Sequence, residues 1–261
     1  MKRLEGGLKK HMKKVLVLSI IILIGLTQSF AFFFENPANL IVNGNAVLFS
    51  MYAYQIDPYV YKISWQERSD NLCGELGYTT NSNYSEGVVN YMISDLKNNY
   101  GMNLNAKIIP WGDPYVRIDV GGKVAAATNV SVSLAVYNIT LYASKTSDAT
   151  LPNFVGSAEY LFNNNFGVGF DVGNFGSNVF QVSLGGIARS LGYLNNLRIS
   201  YSPLYRLSDG KIFNIVDGSV DLRISNFIVG LSGFYNFDGS IPTEKYLKNQ
   251  YGFKVVVGAG L

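Results

Sequence analysis

Histidine and cysteine are nearly missing from this chain. Among 261 residues there is one of each, His11 and Cys73. A lone thiol excludes a disulfide framework and a cysteine-ligated zinc site. His11 sits in a leader that is expected to be removed. A mature chain without histidine has no Ser-His dyad or triad and no histidine-bound catalytic zinc. The expectation is therefore no cofactor, no metal and no enzyme. Charge is also scarce: 15% of residues are charged, against about 25% in an ordinary soluble domain. Proline is limited to 7 residues. After residue 31 no second long apolar run occurs, so no helical membrane protein follows.

What is present begins with that leader. Six of the 21 basic residues fall within the first 14 positions. Lys13 and Lys14 precede the apolar run Val15 to Leu26, and Ser29 and Ala31 put small residues at the −3 and −1 positions of a signal-peptidase site. Met12 is a candidate start, and an uncleaved anchor is the alternative. The expected division is a signal peptide at 1–31 and one domain at 32–261. Without 1–31, Lys+Arg falls from 21 to 15 and Asp+Glu from 18 to 17. The remainder is near −2, which gives no reason to expect a nucleic-acid partner.

A repeat organises the rest. Asn39, Asn71, Asn99, Asn129, Asn165, Asn196 and Asn226 each open a stretch of alternating apolar and small or polar residues. A period of about 30 residues marks a structural unit. Asparagine tolerates the φ > 0 of tight hairpin turns, and alternation with period 2 marks a strand with one apolar face. Returning strands follow, for example through Tyr59, Tyr61, Ile63 and Trp65, and finally through Phe253, Val255, Val257, Ala259 and Leu261. Seven hairpins give fourteen strands, with twelve the next choice. Val88, Met92 and Leu96 also fit a helix over Ser85–Asn98, and Gly77–Tyr84 shares that ambiguity. Pro37, Pro58, Pro114 and Pro152 fall at strand starts, and Pro110 and Pro203 near strand ends, outside the ladders that proline would interrupt.

One face of the strands is apolar (Leu72, Leu76; Tyr100, Met102, Leu104; Phe166, Val168, Phe170) and the other small or polar (Cys73, Glu75; Asn103; Gly167, Gly169, Asp171). Aromatics beside the turns, including Tyr100, Tyr160, Phe162, Phe166 and Phe227, suit an interfacial girdle. Hydrocarbon admits a sheet only when it closes. The reading is an all-β, antiparallel, up-and-down transmembrane barrel with its polar face inward. The charged residues of that face are Lys62, Glu75, Lys107, Arg117, Asp119, Glu159, Asp171, Arg198, Asp221, Arg223 and Lys254, which are expected to line a pore. Fourteen strands are too wide for side chains alone to fill, so a conduit is expected. Gly239 to Gln250 is expected to be the largest outer loop and a constriction or gate. Asp217-Gly218 and Asp238-Gly239 read as turn dipeptides, and Gly121-Gly122 and Gly185-Gly186 as bulges or close strand approach. Trp65 and Trp111 read as belt residues, with sugar stacking as the alternative.

The run Ala158-Glu159-Tyr160-Leu161-Phe162-Asn163-Asn164-Asn165-Phe166-Gly167-Val168-Gly169-Phe170 resembles the periplasmic hairpin of bacterial outer-membrane β-barrels. The segment Tyr251 to Leu261 resembles their terminal insertion strand, departing from it by ending in Leu261 rather than an aromatic residue. The size is similar to that of small monomeric porins. The resemblance implies an outer-membrane location, passive diffusion of small polar solutes, and outer-membrane lipid and the barrel-assembly machinery as partners. The missing histidine argues against the enzymatic barrels of that membrane. The length leaves little room for an N-terminal plug. The rival readings are a non-conducting structural or surface-binding barrel, a soluble region at 32–127 followed by an eight-stranded barrel, and a secreted carbohydrate-binding β-protein.

Overall fold

The computed structural model describes residues 36–40, 44–145, 151–175, 178–241 and 247–261. The expected signal peptide lies outside them. The chain forms β1 (Ala46–Tyr54), β2 (Val60–Ser69), β3 (Leu72–Asn81), β4 (Gly87–Asp95), β5 (Tyr100–Ile109), β6 (Tyr115–Ala127), β7 (Val130–Ala143) and β8 (Asn153–Leu161). It continues through β9 (Phe166–Phe175), β10 (Val179–Leu191), β11 (Leu194–Tyr201), β12 (Leu204–Arg206), β13 (Lys211–Phe213), β14 (Ile215–Ile224), β15 (Phe227–Asn236) and β16 (Tyr251–Gly260). Each strand of the wall pairs antiparallel with its neighbours, and β16 returns to β1 with Ala46 opposite Gly260 and Tyr54 opposite Gly252. That pairing closes a barrel.

The wall has fourteen staves, because β12 and β13 are extensions rather than extra members. β12 continues the register of β11 along β10: Leu184 faces Tyr201, and Gln181 faces Leu204. β13 likewise continues β14, since Ser200 faces Asp217 and Leu204 faces Phe213. The interruption falls at Pro203, which has no N–H to give. The eight-stranded alternative with a soluble 32–127 region is therefore wrong: β1 to β6 are staves of the same wall. The helical alternative also fails. Val88 and Met92 lie four apart, an even number, so they share a strand face as readily as a helix face. Both lie in β4, where Met92 is buried.

The recurrent asparagines have a common backbone task. The carbonyls of Asn71, Asn99, Asn129, Asn165 and Asn226 accept from the N–H of Leu96, Lys123, Leu161, Arg189 and Gly260, at 2.7–2.8 Å. Each bond extends a ladder into the turn. Positive φ belongs to Asn99, but otherwise to neighbours such as Asp70 and Ser225. Two expected units are misplaced. Asn196 lies inside β11, and the turn forms at Gly192-Tyr193, where Gly192 takes φ +61. Asn39 opens no hairpin. It ends a 3-10 turn, Pro37–Asn39, with Asn36 Oδ1 accepting from Ala38 N at 3.0 Å.

Burial is inverted relative to a water-soluble sandwich. β1 alternates buried Ala46, Leu48 and Ser50 with exposed Val47 and Phe49. Leu76, Leu134 and Phe227 are 52%, 59% and 66% exposed on the outer face, while Glu75, Asn90, Asn103, Asp171 and Ser219 are buried on the inner one. Patches of apolar surface on this scale mark contact with something other than water. Two aromatic rims bound the face. Tyr160 and Phe162 meet edge-on at the turn end, as do Tyr235 and Phe237 at the long-connection end.

Candidate functional site

The lumen is built in three layers, from the turn end to the opposite mouth. At the turn end, residues 36–40 enter the barrel and pack against β4, β5 and β6. Pro37 and Ala38 are buried, and Ser94 Oγ donates to Ala38 O at 3.4 Å. Two glycines make the seat. A Cβ on Gly101 would collide with the Pro37 backbone, and one on Gly121 with Asn36 Oδ1. Gly121 thus serves a close approach, though by the N-terminal segment rather than by a neighbouring strand. The expectation that no N-terminal segment would occupy the lumen is corrected here.

The middle layer is polar and largely paired, and it holds the sequence-predicted charged residues. Lys62 of β2 and Glu75 of β3 form an ion pair, and Gln66 Nε2 donates to Glu75 Oε2 at 2.7 Å. Asp119 of β6 accepts from Asn103 and Asn105 of β5, each at 2.9 Å, and from Asn138 N at 2.8 Å. The Arg117 guanidinium lies 3.9 Å over the Tyr115 ring, with Lys107 Nζ 5.0 Å from the same centroid. Lys107 also reaches Asp113 at 3.4 Å. Glu159 of β8 receives Arg189 of β10 at 2.9 Å on both oxygens. Asp171 of β9 pairs with Arg198 of β11, both buried. Lys254 lies 5.0 Å over Tyr52. Asp221 and Arg223 stand half-buried on β14, the former against Gly230.

Sequence reasoning missed two members of this layer. Arg189 was hidden by its place next to a turn. Asp217 was misread because Asp-Gly is a turn signal. It lies within β14, opposite Ser200 and Phe234; the cross-strand partners, invisible in a local reading, hold it extended.

The outer layer is apolar, against the expectation of a wholly polar inner face. Ala135, Tyr137, Val155, Val179, Leu204, Phe213, Ile215, Phe234 and Leu247 form one buried cluster with Tyr54 and Ile241 against it. It is assembled from β7, β8, β10 and β12–β15, and from the connection between β15 and β16. That connection is the long Gly239–Gln250 segment expected from the sequence, and it folds back into the mouth. Ile241 N donates to Leu247 O at 2.6 Å, and Asn249 Oδ1 accepts from Ile56 N at 2.9 Å. Lys248 pairs with Asp57 on the β1–β2 connection. A wide barrel therefore does not by itself give an open hole.

Outside the wall, the β5–β6 connection is tied by charge. Lys145 Nζ and Ser144 Oγ donate to Asp113 at 2.8 and 3.0 Å, and with Lys107 alongside they hold its carboxyl down to about 2. Nearby Trp111 is 80% exposed, and Trp65 is an exposed residue of the outer face of β2.

A closed fourteen-staved barrel with apolar exterior and polar, charge-paired interior can be compared with known proteins. No protein-family model matches the sequence, and no curated protein matches it. Solved structures do match. The fold is that of porins and barrel channels. The CymD monoaromatic hydrocarbon channel superposes with TM-score 0.57 at 11% identity, covering 85% of this chain and 89% of its own. The Pseudomonas putida toluene transporter TodX gives 0.54 at 8% identity, covering 90% and 93%.

Proposed function

We propose that the protein is an outer-membrane channel that carries small polar solutes down their gradient, closed at its mouth in this conformation. The carrying observation is the inverted barrel, with hydrocarbon-compatible side chains outside and hydrogen-bonded charges inside. Such an interior is stable only where water or polar solute can reach it or where charges are paired, and Lys62, Glu75, Lys107, Arg117, Asp119, Glu159, Asp171, Arg198, Asp221, Arg223 and Lys254 are assigned to the conduit wall. Near-balanced charge gives no reason for strong ion selectivity. Passage requires the 237–250 connection to withdraw Leu247 from the apolar layer and residues 36–40 to leave the opposite end. Single-channel recording in planar bilayers tests this. Rare openings are expected, becoming frequent when 240–248 is replaced by a short Gly-Ser linker. Silence in both proteins would leave a structural barrel.

One observation favours a second solute class. The mouth layer joins Tyr54, Tyr137, Phe213 and Phe234 in an apolar lining of the kind that receives small apolar ligands. The names of the CymD and TodX proteins concern a monoaromatic hydrocarbon and toluene. Under this reading the mouth layer is a receiving site rather than a stopper. Saturable uptake of toluene into proteoliposomes, lost in Phe213→Asp, would decide for it.

A further inference from the structure

The polar atoms left without partners on one side of the lumen are all oxygens. Asp217 Oδ1 and Oδ2, Ser219 Oγ and Gln181 Oε1 are buried and make no hydrogen bond. Asp217 is 6% exposed, Gln181 3% and Ser219 0%. Register brings them together. Asp217 and Ser219 stand two apart on the inner face of β14. Gln181 of β10 donates through its Nε2 to Ser202 O at 3.4 Å, and Ser202 also adjoins Asp217. The nearby donors are committed elsewhere. Arg198 is bound to Asp171 and gives its Nε to Ser200 at 3.2 Å. The Ser183 hydroxyl goes to Ser202 Oγ at 2.7 Å. Lys254 of β16 lies over the Tyr52 ring. Counting Asp171, Arg198 and Asp217, this wall carries one uncompensated negative charge.

Directly above the four oxygens lies the apolar layer. Val179, Leu204, Ile215 and Phe234 are the next inward residues beyond Gln181, Ser202, Asp217 and Ser232 on their strands. A carboxylate facing that medium with no counter-charge is costly. Acceptor oxygens without donors require a cation or a donor-rich group. We propose that Asp217, Ser219, Gln181 and Ser202 form a binding site for a monovalent cation, either an alkali-metal ion or the ammonium group of a solute. One carboxylate with neutral oxygens matches a single positive charge, and among the described residues no group of three acidic, histidine or cysteine side chains is set for a divalent metal. The site requires only the folded barrel, not conduction.

The test uses purified barrel in detergent, with unfolding followed by heat-modifiable gel migration at constant ionic strength. The salts are sodium, potassium and methylammonium chloride against tetramethylammonium chloride, which lacks an N–H and is too large for the site. The wild type is expected to gain about 2–4 °C in one or more of the first three. A gain in sodium or potassium chloride identifies an alkali ion, and a gain in methylammonium chloride alone identifies an ammonium group. Asp217→Asn, which keeps the shape and removes the charge, is expected to lose the gain. Should it not fold, Ser219→Ala and Gln181→Leu carry the same comparison with a reduced gain. Equal midpoints in all four salts, or an undiminished gain in the variants, overturns the site. Planar-bilayer conductance of the same samples reports separately on the channel reading.

Discussion

The two ends of the lumen are filled by opposite means. At the mouth, side chains from six strands and one connection meet as an apolar cluster, with Leu247 delivered by the chain between β15 and β16. At the turn end, backbone lies on backbone: residues 36–40 rest where Gly101 and Gly121 leave no Cβ. Between them runs a layer held by ion pairs and amides. Apolar packing is non-directional and grades with the area removed from water. A glycine seat is all-or-none, because one methyl group removes it. The mouth can therefore loosen by degrees, whereas the segment is either in or out.

Removing one member of the paired middle layer carries the largest expected effect. Arg198→Met leaves Asp171 buried without its partner and should cost about 3–5 kcal/mol, read as a lower heat-modification temperature. Adding Asp171→Leu should restore most of the loss. Next is the mouth: Leu247→Ala should cost about 2–5 kcal/mol and raise open probability in bilayers, with the polar layer unaffected. If open probability stays fixed while stability falls, the apolar layer is a structural core and not a gate.

A smaller effect is expected at the turn end. Gly101→Val suits a strand but displaces the backbone of Pro37 and Ala38. Protease should then cut near residue 38 faster, with the barrel transition little changed. Unaltered protection would show that the segment is held by more than its seat. The smallest effect concerns pH. The Lys145–Asp113 tie keeps its carboxyl depressed, so its contribution is present above about pH 4 and is lost as pH falls toward about 2. Acrylamide quenching of Trp111 should increase across that interval and lose the step in Asp113→Asn.

The staves were legible because membrane strands write their environment into alternation: Tyr100, Met102 and Leu104 outward, Gly101 and Asn103 inward. The charged inner residues followed from the same parity, and the structure brings Lys62 to Glu75 and Asp171 to Arg198 as neighbours across adjacent strands. What failed depended on contacts distant in sequence. Asn39 carries the repeat's residue but has no upstream strand to turn from, so it folds inward. Asp217 needed Ser200 and Phe234 to be seen as strand. The apolar layer was illegible because Leu204, Phe213 and Leu247 share no local pattern; only closure brings them together.

The seam between β1 and β16 joins the stretches made furthest apart in time, Ala46 meeting Gly260 across more than two hundred residues. Until the final strand leaves the ribosome, both margins of the sheet stay unzipped and ready to recruit foreign strands. Long-range closure is also slow. The nascent protein therefore needs an escort that shields its margins, and the completion of synthesis becomes the event that permits it to seal.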